Sequence, residues 1–111
     1  MHPKTEKLVE GIRNKANDAR ASLEEAKQQF GSNDDSHLLG EIKRAGYWLD
    51  DIETYFVRQL EKDTDPPRSL ADELHMISDA EMHLNMRALP LVKKICEWAK
   101  TYGPRFKTAG G

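Results

Sequence analysis

The chain has 111 residues, 32% charged and 38% hydrophobic, with 17 Lys and Arg set against 19 Asp and Glu for a net charge of -2. A domain of this size buries roughly two thirds of the surface its unfolded chain exposes, so it needs no metal to fold, and a lone cysteine, Cys96, excludes an internal disulfide framework. Balanced charge argues against nucleic acid or an anionic membrane as partner, and no run approaches the roughly 18 apolar residues of a membrane span. The opening stretch MHPKTEKLVEG lacks the apolar core of a signal peptide, so a cytoplasmic location is expected.

Taken in order, Leu8, Ile12, Ala16, Ala19, Leu23, Ala26 and Phe30 recur at steps of three and four and predict a first helix over about residues 4–30. Pro3 suits its first turn and Gly31 its carboxyl end. Its alanines leave room for a bulky side chain from across the bundle, with Trp48 the candidate. Ser32 and Asp35 are spaced as a capping box for a second helix over about 34–62. That helix carries Leu38, Ile42, Ala45, Leu49, Ile52, Phe56 and Leu60, widened by Leu39, Gly46, Trp48, Tyr55 and Val57. So wide an apolar surface asks for two neighbours, which places this helix centrally.

Pro66 and Pro67 stop it, and Asp65 or Ser69 can cap the next. The third helix is predicted over about 67–102 from Leu70, Leu74, Ile77, Glu81, Leu84, Ala88, Leu91, Ile95, Trp98 and Tyr102. Pro90 lies inside it and predicts a kink near 90 or a restart, while Gly103 and Pro104 leave residues 103–111 as a tail. The expected fold is all-α: one domain over 1–111, an antiparallel up-down bundle of three long helices with the third kinked or broken at Pro90, or alternatively a four-helix bundle.

Glu81 is the one acid in a core register, and a buried carboxylate must be hydrogen-bonded, neutralised or bound to a cation. One reading is a mid-bundle ligand or metal site of Glu81 with Asp18, Asp51 or Tyr47, the metal unspecified. The other is that Glu81 leans to solvent or accepts from the Trp48 indole. Bundle metal sites usually bring several carboxylates and a Glu-x-x-His pair, which this chain lacks. His75, Asp79 and His83 are spaced four apart but point away from the core stripe, so they offer only an open site on one helix. Cys96 has no nearby base to lower its pKa and reads as a packed, inert thiol. Phosphate loops, zinc spacings and a nucleophile elbow are absent, and no cofactor is expected.

His37 with Gly40 and Gly46 resembles the phosphoacceptor segment of histidine phosphotransfer bundles, but His37 falls in a first turn and Leu39 and Gly40 stand one place early. That activity is therefore not carried over. Arg68 and His75 match the loose Arg-to-His spacing of HEPN-type ribonucleases. The remaining feature is the back of the third helix, where His75, Met76, Met82, His83, Met86 and Leu89 put apolar, adaptable side chains on a face that should be polar. Met76, Met82, His83, Met86 and Leu89 are the candidate contact surface for another protein or a second copy of this chain, unless the segment after Pro90 covers them. The expectation is a non-catalytic interaction module: an adaptor, inhibitor or regulatory protein. A Glu81-centred ligand or metal bundle is the alternative, and a ribonuclease or phosphotransfer protein comes third.

Overall fold

The computed structural model describes residues 1–31 and 35–109, with side chains as far as Tyr102. Among the described residues there are three long helices and no strand. The first, α1, is Pro3–Phe30. The second, α2 (residues 36–61), is α-helical over Ser36–Asp51, π-helical over Ile52–Val57 and α-helical again over Arg58–Glu61. The third, α3 (residues 70–109), is α-helical over Leu70–His83, π-helical over Leu84–Ala88 and α-helical over Leu89–Ala109.

Local chemistry sets the ends. Gly31 takes φ 61°, a conformation open to glycine, and its amide closes α1 onto the carbonyls of Lys27 and Gln28. Asp35 caps α2 by accepting the Leu38 amide at 3.0 Å, whereas Ser32, the other half of the expected box, lies outside the described residues. Ser69, rather than Asp65, caps α3, accepting the Asp72 amide at 3.1 Å. The expected stop at Gly103 and Pro104 is not made: the helical backbone runs through both to Ala109. Proline removes one donor and crowds the carbonyl four residues back, at about 3 kcal/mol, and glycine weakens a helix by about 1 kcal/mol; both weaken a helix already formed without requiring it to end.

The helices form a rod of 60 × 20 × 18 Å. Arg13 reaches Glu53 and Glu61, and Arg20 reaches Asp50, so α1 and α2 run antiparallel. His37 meets Trp98 at one end while Trp48 and Phe56 meet His83 further along, so α2 and α3 are antiparallel as well. Thr5 with Glu73 and Ser22 with Cys96 then set α1 and α3 parallel, as up-down-up requires. The most extensive contact joins α1 to the later part of α3, so α2 is not the centre around which the others pack. Closeness follows from Ala16, Ala19 and Ala26, all buried on α1, which let a neighbouring backbone approach.

The buried stripe departs from a 3.6-residue period where the ladder widens. In α2 it steps from Ile52 to Val57, not Phe56, because a π turn adds one residue: the Arg58 amide donates to the Glu53 carbonyl five residues back. In α3 the Leu89 amide likewise donates to Leu84, immediately before Pro90, so α3 passes the proline as one helix with a changed ladder, and among the described residues there is no fourth helix. The first half of α3 is also rotated. Glu73, Ile77, Ala80 and Leu84 face inward, while Leu70, Leu74 and Glu81 are only half-buried.

Candidate functional site

The expected Glu81 centre is not assembled. Glu81 and Asp51 are half-buried, Tyr47 is 65% exposed, and Asp18 is exposed on α1 beside Leu89, Val92 and Cys96, more than two turns of α3 beyond Glu81. Ala80, fully buried, takes the core place expected of Glu81. Among the described residues no group of three His, Cys, Asp or Glu is placed to hold a metal ion.

Among the described residues the most deeply buried acid is Glu73, 3% exposed against 9% for Glu41, where α3 begins beside the start of α1. Its Oε1 accepts the His2 amide at 3.1 Å, His2 Nδ1 stands 2.7 Å away, and the Thr5 hydroxyl donates at 2.9 Å. Burial alone would raise its pKa, but these bonds outweigh burial and hold it at about 2. Glu73 borders an open cavity of about 480 Å³ with His2, Leu60, Lys62 and Arg68. Its carboxylate is already engaged and Arg68 donates to the Lys62 carbonyl at 3.2 Å, so this end of the rod reads as a clasp. His75 does not line that cavity: it is exposed on the outer face of α3, 3.9 Å from Asp79.

The contact strip is divided by the rotation of α3. Met82 and Met86 are 52% and 71% exposed, whereas Met76 and Leu89 are partly buried against the core. His83 turns into the α2–α3 seam. Its ring lies 6.0 Å from that of Trp48 at an interplanar angle of 29°, and 5.1 Å from that of Phe56. Trp48 therefore does not fill the space beside the α1 alanines; it lies half-buried on the seam with the Arg87 guanidinium 4.9 Å above its ring. Arg44, Trp48, Arg87 and Leu91 enclose a shallow cavity of about 330 Å³. Further along, Lys94 stands 4.7 Å over Trp98, which also meets His37. Both helices carry their π turns at the His83 end: Phe56 lies within one and His83 directly precedes the other. π turns recur at functional sites because they re-aim side chains that a regular helix would place elsewhere.

The two seams of α2 differ in electrostatics. Towards α1, Arg13 and Arg20 each reach acids on α2, at 3.1 Å to Glu53 and 2.7 Å to Asp50. Towards α3, Arg44 is held by Glu41 of its own helix at 3.0 Å, but among the described residues Arg87 and Lys94 have tryptophan faces and no acid partner. The seam is thus an aromatic groove with uncompensated positive charge. Sequence reasoning missed Arg44, Arg87, Lys94 and Trp98 as a group because a π insertion decides which side of α3 faces α2. Their common spacing of three and four was the available signal.

Cys96 is half-buried, its thiol donating to the Ser22 carbonyl at 3.6 Å, and burial raises its pKa. Among the described residues no helix is long and apolar enough to cross a membrane. Comparison with protein-family models, with curated proteins and with solved structures finds no match for this chain, so its function is read from geometry alone.

Proposed function

We propose that this protein is a small non-catalytic interaction module of the cytoplasm, an adaptor, inhibitor or regulator that binds another protein or a second copy of itself through α2 and α3. One asymmetry carries the reading. Among the described residues, the large apolar side chains exposed on the helices are Leu39, Tyr47, Tyr55, Met82, Met86 and Tyr102, all on α2 and α3, while the outer face of α1 has none. Tyrosine and methionine suit contact surfaces, since one presents a rigid amphipathic ring and the other an adaptable chain. Supporting this, interhelical ion pairs close the α1–α2 seam, and among the described residues none spans the α2–α3 seam.

Solution mass across a wide concentration range, with affinity capture, tests this on the wild type and on Met82→Lys with Met86→Lys. A dimer or a captured partner that the double substitution releases is the expected result. Monomers in both cases with identical capture, or with none, would remove the reading.

A further inference from the structure

We propose that the α2–α3 seam is a docking groove for a short acidic amphipathic helix of a partner protein, an inference that rests on the interaction reading and names the partner's chemistry. Arg87, Leu91, Lys94 and Trp98 follow at steps of four, three and four, so they form one line along α3. Arg44 and Trp48, four apart, form the facing line on α2, and the cavity shared by Arg44, Trp48, Arg87 and Leu91 lies between the two. From Arg87 to Trp98 this line runs roughly 16 Å, three helical turns. Arg87 and Lys94 stand two turns apart on the same face. A partner helix with carboxylates two turns apart reaches both, and an apolar residue between them rests on Leu91 and Trp48.

Charge selects this occupant. The arginines of the α1–α2 seam are already neutralised by acids, whereas Arg87 and Lys94 lie over indole rings without an acid partner among the described residues. A guanidinium stacked on an aromatic face keeps its N–H edge free, so Arg87 can donate to a carboxylate while it remains on Trp48. A continuous polyanion such as single-stranded nucleic acid fits less well. Glu41, bonded to Arg44 and three residues before it on the same face of α2, would repel a phosphate passing over it. A peptide can space its acids to avoid that point.

A displayed library of randomised short helical peptides, selected on the full chain, tests the inference. The expected peptides are enriched in Asp and Glu two turns apart around an apolar residue. They bind at least about tenfold more weakly to Arg87→Gln with Lys94→Gln, and more weakly as salt rises. The double variant is first shown to melt as the wild type does. Seam-dependent peptides, lost on Trp48→Ala but without acid enrichment, overturn the acidic partner and leave the interaction reading intact. Recovery only of peptides indifferent to the seam, or of none, also overturns it, and the solution-mass and capture experiment then decides separately whether the broader reading survives. Tighter binding of an oligothymidylate probe than of any selected peptide overturns it in favour of nucleic acid.

Discussion

Glu73 holds the start of α3 to the start of α1, and its environment fixes how it responds to pH. The carboxylate form is the one that accepts from His2 and Thr5, so folding lowers its pKa from 4.5 to about 2. The stabilisation is therefore complete above the unfolded value and is lost as pH falls towards and through the folded one. Melting temperature followed from about pH 5 to about pH 2 is expected to fall more steeply for the wild type than for Glu73→Gln; equal slopes would show that the clasp does not carry charge-linked stability. Glu73→Ala, which leaves the buried Thr5 hydroxyl without its acceptor, is expected to lower stability at neutral pH by about 1 to 3 kcal/mol in urea unfolding. Little of this was legible in the sequence. Glu73 is adjacent to Leu74, and the apolar period alone favours the leucine; three converging donors from residues about seventy positions away decide for the acid.

At the scale of the helix, the glycines separate two physical effects. Gly11, Gly40 and Gly46 lie within helices, and a Cβ added at any of them meets nothing within 4 Å. Alanine at each is expected to raise stability by about 0.5 to 1 kcal/mol through the lower conformational entropy of the unfolded chain. Gly31 also has open space around it, but its φ of 61° strains an L side chain, so Gly31→Ala is expected to destabilise by about 1 kcal/mol. Thermal melts of the four variants check the pattern, and a gain at Gly31 would contradict it. Helix existence was readable from the apolar period, the end of α1 from Gly31 and the cap of α3 from Ser69 as one of two candidates; Asp35, expected three residues into a box begun by Ser32, is instead itself the cap of α2. The π turns were not, because the sequence from Ile52 to Leu60 offers both Phe56 and Val57 as the next core residue, and contact with α3 decides between them.

At the scale of the molecule, stability and contact are carried by different residues. Ile95, fully buried, packs within the core, so Ile95→Ala is expected to cost about 2 to 5 kcal/mol. Met82→Lys with Met86→Lys removes exposed side chains and should leave stability within about 0.5 kcal/mol while changing association. Urea unfolding of both variants reads the contrast; a large loss in the methionine double variant would mean that those side chains support the fold. The sequence by itself determined an all-α antiparallel bundle and the apolar composition of its core, with three helices or four left open at Pro90, since each follows from local period, glycine and proline placement, and capping chemistry. Tertiary structure alone decided which face of α3 turns inward, which acid is buried, and that Trp48, His83, Arg87 and Lys94 share one seam. A rotation of one residue about a helix axis leaves the period unchanged, and only contacts between helices distinguish one rotation from the next.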